Sequence, residues 1–195
     1  MRRSWLVLLI VVIVSITFMF RPSNDEVLIF SLVEGEVIVA SEQGPDRQAS
    51  VGDTLRLQDR VTTGVFGRTT ITIGSGSTVT LPSNSQVRLT DISKQSVRVE
   101  LDSGALSAVI RPESGVLTLA AAGRQLVSSD ASLRMQLFDD GLTVDVIEGS
   151  VETRGLAGLT SLEAGKRAMA LNGEEGVVSR RAGEMLLAVT WPEDR

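Results

Sequence analysis

Few residues of this 195-residue chain are of types and spacings that could do chemistry. The densest carboxylate group is Asp139-Asp140-Gly141, with Asp145 close behind. Hard carboxylate oxygens suit a calcium ion, but the twelve-residue loop that spaces such ligands is missing. Asp followed by Gly also makes tight hairpin turns, and the turn is the stronger reading here. Glu174-Glu175-Gly176 reads as a second, solvated turn. Gly74-Ser75-Gly76-Ser77 superficially resembles a phosphate-cradling loop, yet no lysine and no helix follow it, so it too reads as a turn. Arg180-Arg181 could touch an anionic partner or lipid, and reads as a solvated pair.

What is missing narrows the chemistry further. The chain has no histidine and no cysteine. This excludes Ser-His and Cys-His catalysis, ordinary zinc sites, haem and iron–sulfur ligation, and disulfides. A glycosidase needs paired carboxylates in a cleft that holds sugar rings. Five Phe and two Trp, with no Tyr, are a thin supply of lining for one. The net charge of −5 and pI near 4.9 give no general attraction to nucleic acid, and 4% aromatics leave few platforms for stacking bases. The expectation is a non-enzyme with no catalytic, cofactor or metal site.

The elements around these residues fall into two kinds. Met1-Arg2-Arg3 opens the chain, and WLVLLIVVIVSITFMF follows over residues 5–20, ended by Arg21-Pro22. The run is slightly shorter than the ~20 residues that span a bilayer comfortably. No small-x-small cleavage site follows it, because Thr17-Phe18-Met19-Phe20 is bulky. The reading is an uncleaved signal anchor over 1–21, one transmembrane helix. Arg2 and Arg3 hold its start in the cytoplasm, so the body lies in the periplasm or its equivalent, tethered to the inner membrane. A linker over 22–26 leads to the body.

From Val27 onward the pattern has period two. Thr70-Ile71-Thr72-Ile73, Val97-Arg98-Val99-Glu100-Leu101, Leu133-Arg134-Met135-Gln136-Leu137 and Leu142-Thr143-Val144-Asp145-Val146 each place apolar residues on one face. Turn signals recur between them at Pro82-Ser83-Asn84, Asp102-Ser103-Gly104, Pro112-Glu113-Ser114-Gly115 and Asn172-Gly173. These features predict an all-β, antiparallel sandwich or solenoid-like stack of many short strands over 27–180. Residues 181–195 follow as a last strand or a tail, with Trp191 capping the core. A weak repeat runs through the body. Glu34-Gly35-Glu36-Val37 returns as Glu148-Gly149-Ser150-Val151, with Ser103-Gly104-Ala105-Leu106 between, and Gly52 and Gly165 follow the outer two. Glycine leading into a strand permits a positive φ.

In this order, several short motifs resemble the FecR domain. They are Val51-Gly52-Asp53-Thr54-Leu55, Val61-Thr62-Thr63-Gly64, the run Thr70 to Leu81 through its Gly-Ser turn, Leu101-Asp102-Ser103-Gly104-Ala105, Val146-Ile147-Glu148-Gly149-Ser150-Val151, and Leu162-Glu163-Ala164-Gly165-Lys166. The likeness runs over residues 33–171. Asp130-Ala131-Ser132-Leu133-Arg134 stands where the family often has a Gly-Thr-x-Phe step. The short stretch before residue 5 leaves little for the family's sigma-regulating segment. The resemblance therefore implies a FecR-like module rather than the full sigma-factor regulator. Its expected role is non-catalytic protein interaction or signal sensing in the envelope, with another envelope protein as partner. The alternative is a structural or glycan-binding domain. The expected contact is strand addition at sheet edges near 27–32 and 186–191.

Overall fold

The structure, a computed structural model, describes residues 28–42, 44–93, 96–156, 160–171 and 180–181. In chain order the strands are β1 (Leu28–Glu34), β2 (Val37–Ala40), β3 (Arg47–Gln48), β4 (Thr54–Leu55), β5 (Arg60–Thr63), β6 (Arg68–Ile73), β7 (Ser77–Leu81) and β8 (Gln86–Ser93). β9 (Ser96–Ile110), β10 (Val116–Ala121), β11 (Arg124–Ser128), β12 (Ala131–Phe138), β13 (Gly141–Arg154), β14 (Ser161–Glu163), β15 (Lys166–Leu171) and β16 (Arg180–Arg181) complete them. A single 3₁₀ turn, Pro112–Ser114, is the one helical element among the described residues.

The strands form two sheets that enclose one core. Sheet A runs β4-β1-β6-β7-β9-β12-β13-β15-β16. Sheet B runs β3-β2-β5-β8-β9-β10-β11-β13-β14. β9 and β13 belong to both. The first half of β9 pairs β8 and β10 in sheet B, and its second half pairs β7 and β12 in sheet A. Period-two alternation puts Phe30, Leu81, Val99, Leu101, Leu119, Leu133 and Met135 into the space between the sheets, each at most 2% exposed.

Glycine decides where a strand changes sheets. Gly104 sits at the bend of β9 with φ +78, and a Cβ there would lie 2.3 Å from the Asn84 carbonyl oxygen. Gly149 sits at the bend of β13 with φ +73, and its Cβ would lie 2.3 Å from the Asp130 carbonyl oxygen. Gly35 turns the corner between β1 and β2 in the same way. The three copies of the sequence repeat are thus three corners. The two trailing glycines correspond as well: the N–H groups of Gly52 and Gly165 donate to Phe30 and Val146 carbonyls, each at 2.8 Å.

Four expectations are corrected. The expected transmembrane helix falls on residues 1–21, outside the described residues, and no described helix is long and apolar enough to cross a membrane. Among the described residues the fold class is all-β, with no membrane-spanning helix. An apolar run in the sequence does not by itself fix a helix. The sheets are also not purely antiparallel, since β10 pairs β9 in parallel from Ser96↔Val116 to Glu100↔Ala120. A parallel pair needs a crossover, and here the second half of β9, lying in sheet A, supplies it as one coil. Asp102-Ser103-Gly104 is a corner within β9 and not a turn between strands. Ile29 is no edge residue, because it pairs Thr54 on one side and Thr72 on the other. The expected turns at 172–176, the Trp191 cap and the edge at 186–191 lie outside the described residues.

Candidate interaction surface

The residues singled out for chemistry serve structure. Asp139 and Asp140 form the two-residue turn between β12 and β13, where Phe138 pairs Gly141. Neither has a positive φ; among described non-glycine residues only Gln58, Asn84 and Ala122 do. Gly141 is there for space, since a Cβ would meet the Ala170 carbonyl oxygen at 2.5 Å. Asp145 accepts two hydrogen bonds from Arg167, with Nη2 at 2.9 Å from Oδ2. That hydrogen bonding and the carboxylate charge raise the Arg167 pKa above its ordinary value, against slight desolvation. Among the described residues no group of three or more carboxylates is disposed to hold a metal ion.

The Gly74–Ser77 segment is the β6–β7 turn, and its hydroxyls stitch it to the 3₁₀ turn. Ser75 Oγ donates to the Glu113 carbonyl at 2.7 Å. Ser77 N–H donates to Ser114 Oγ, and Arg111 N–H donates to Ser77 Oγ, each at 2.9 Å. The backbones of Arg180 and Arg181 pair Arg167 and Lys166.

The two outer faces differ in charge. On sheet B, Asp102 is a hub: it accepts from Arg88 Nη2 at 3.0 Å and from Gln86 Nε2 at 3.3 Å, and Arg60 Nε lies 3.6 Å away. Arg88 also reaches Glu100 at 3.5 Å. Arg98 and Asp91 pair in register beside them. Around β5, β8 and β9 the charges of this face answer one another.

On sheet A the first four full strands carry none on their central rows. One row runs Ile29–Thr72–Thr78–Val109–Ser132. The next runs Thr70–Thr80–Ser107–Arg134–Asp145–Arg167. Thr70 and Thr80 hydroxyls lie 3.0 Å apart. Charge enters this second row only from β12 onward. The result is a band of β-branched side chains and hydroxyls, with Ile29 and Val109 each more than a third exposed.

One end of sheet A carries a protrusion that the sequence reading did not single out. Gly64-Val65-Phe66-Gly67 is a tight turn closed by Gly67 N–H to the Gly64 carbonyl at 3.0 Å. It wedges against the β1–β2 corner, where a Cβ on Gly67 would lie 2.2 Å from the Glu36 carbonyl oxygen. Phe66 at its tip is 90% exposed, and Val65 is 64% exposed. Turn tips ordinarily hold Gly, Pro, Asn, Asp or Ser. Two large apolar residues between glycines were the signal available in the sequence. An open depression of about 370 Å³ lies behind the tip, lined by Arg68, Thr80, Pro82 and Ser107 among others. A second, of about 230 Å³, lies at the β12–β13 turn between Phe138, Met169 and Leu171. Both are shallow and neither gathers groups for catalysis.

Residues 59–152 match the family model described as FecR protein. This match is to a FecR family domain and spans just under half of the chain. Its matched span begins at the buried Asp59 before β5 and ends within β13, so it includes both crossing strands, the hydroxyl band of β6, β7 and β9, and the Phe66 turn. The chain's fold is shared with two crystal structures, at 2.50 and 1.65 Å, of a "putative anti-sigma factor" from Parabacteroides distasonis ATCC 8503. Each match has 17% identity and a TM-score of 0.55, covering 63% of this chain and 59% of the other. The chain thus spans about three-fifths of the length of the structures it resembles. No curated protein matches it.

Proposed function

We propose that this chain is a non-catalytic protein-interaction module of the cell envelope, with the body over 27–180 working outside the cytoplasm to relay a signal between proteins. The observation that carries the reading is the absence of charge from the central rows of the outer face of β1, β6, β7 and β9, in a chain where 22% of residues are charged. Charged residues are depleted at the centres of protein interfaces, and this band crosses four neighbouring strands. The FecR domain supports a regulatory role, as does a fold shared with a protein described as an anti-sigma factor. The apolar run over residues 5–20 behind Arg2 and Arg3 supports the envelope placement. The outermost strands β3, β4 and β14 are each two or three residues long, so they offer short edges for strand addition.

The test is a photo-crosslinking residue at Thr72 of the full chain in intact cells, compared with one at Thr62 on the outer face of sheet B. Capture of a distinct envelope protein from Thr72, and not from Thr62, is the expected result. Equal capture from both positions, or none from Thr72, overturns the reading. Glycan fragments on Thr72 in place of protein would move the assignment to a polysaccharide-binding domain, which the hydroxyls of the same face also suit.

A further inference from the structure

The exposed Phe66 tip and the Phe138 depression lie at the same end of sheet A. The row Thr70–Thr80–Ser107–Arg134 links β6 to β12 through three antiparallel pairings, so the two strands run in opposite directions. Phe66 precedes Thr70 by four residues, and Phe138 follows Arg134 by four. Both are therefore displaced toward one rim, with β7 and β9 between their strands. Three strand spacings set them roughly 14 Å apart.

The two features complement each other. The tip is convex and apolar, with Arg68 just behind it; the depression is concave and apolar, lined by Phe138 and Met169, 45% and 41% exposed, with Asp140 at its mouth. Arg68 stands in register opposite Glu34 of β1, yet neither Arg68 nor Asp140 makes a salt bridge among the described residues. A two-fold axis normal to sheet A, placed just beyond the Gly104 corner of β9, lays the rim of one copy against the rim of another. That operation sets each tip on the other copy's depression and each Arg68 toward the other's Asp140. A two-fold contact is satisfied twice and closes on itself.

We propose that two copies of this chain associate rim to rim, the Val65–Phe66 tip of one seating between Phe138 and Met169 of the other. The contact is confined to two turn tips and two shallow depressions, small for a specific interface, so the dimer forms and parts with concentration. The rim is separate from the Thr72 face, so failure of either proposal leaves the other standing.

The chain contains no cysteine, so introduced thiols report without background. Two differently tagged full-length copies, Phe66→Cys and Met169→Cys, are expressed together and oxidised in cells. A disulfide needs Cα atoms within about 7 Å. The mixed disulfide between the two tags is expected at several times the yield of a Gln48→Cys and Met169→Cys pair, which the proposed contact keeps apart. Adding Arg68→Glu to the first copy lowers the yield about tenfold, and Asp140→Arg in the second restores it. Phe66 and Arg68 are exposed, so these changes leave the fold intact. A mixed yield no greater than the Gln48 control overturns the proposal. So does Phe66→Cys joining only itself, or joining a different protein, or a charge swap that restores nothing.

Discussion

The outer faces of sheets A and B share two strands, β9 and β13, yet they treat charge in opposite ways. β9 contributes Glu100 and Asp102 to the ion network of sheet B, then passes Gly104 and contributes Ser107 and Val109 to the uncharged band of sheet A. The change occurs within one strand over a few residues, so strand propensity does not explain it. A face whose arginines and carboxylates answer one another is complete without a partner. A face of threonine, isoleucine and valine leaves contact area that only another surface can use. The difference indicates which side of the sandwich looks outward for recognition.

The comparison depends on β9 crossing between sheets, and the largest effect should come from blocking that crossing. Gly104→Ala puts a methyl group 2.3 Å from the Asn84 carbonyl oxygen at a φ of +78. It should lower stability by about 3 kcal/mol, seen as a drop of roughly 10 °C in a thermal melt followed by circular dichroism. A melt unchanged within error would mean that the corner can relax and that the faces are not rigidly joined.

Next comes the hub of the charged face. Asp102→Ala strands Arg88, whose Nε is already buried without a partner among the described residues, and should cost about 1–2 kcal/mol. Urea denaturation at low and high salt would show the gap between variant and parent narrowing as salt screens the network. Arg167→Ala removes the exposed pair with Asp145 at the far side of sheet A, and the same measurement should register only about 0.5 kcal/mol. A cost for Arg167 matching that of Asp102 would mean that charge is structural on both faces.

The smallest change in stability should accompany the largest change in recognition. Thr72→Arg replaces a half-buried surface side chain and should shift unfolding by no more than about 0.5 kcal/mol. It should also reduce partner capture at least tenfold, by placing an unpaired cation in the middle of the band. Thr62→Arg on sheet B should do neither. If Thr62→Arg weakens capture equally, the two faces are not functionally distinct.

Much of the strand pattern was legible. Val97 to Leu101 alternates in the sequence and alternates buried and half-buried in the structure, because period-two side chains must take opposite faces of a pleated strand. The corners were half legible. Gly35, Gly104 and Gly149 announced a need for positive φ, but turns and mid-strand corners share that need, so Asp102-Ser103-Gly104 read as a turn. The parallel pairing could not be read, because Pro112 to Gly115 has the composition of a tight turn between antiparallel neighbours. In fact Pro112–Ser114 hands the chain to the opposite sheet. The Phe66 tip was missed for a different reason: an apolar pair looks like core until the glycines beside it are seen to hold it outside. The uncharged face spans strands distant in sequence, and it exists only once their register is set.

The two strands that belong to both sheets have a mechanical consequence. In a sandwich of separate sheets the layers can slide over one another, limited only by side-chain packing. Here β9 and β13 act as rivets through the stack, and shear between the layers would have to bend covalent backbone at Gly104 and Gly149. A ligand on one face therefore cannot be sensed by a sliding of layers. It can be passed on only by moving the whole body, or by changing what the body is bound to.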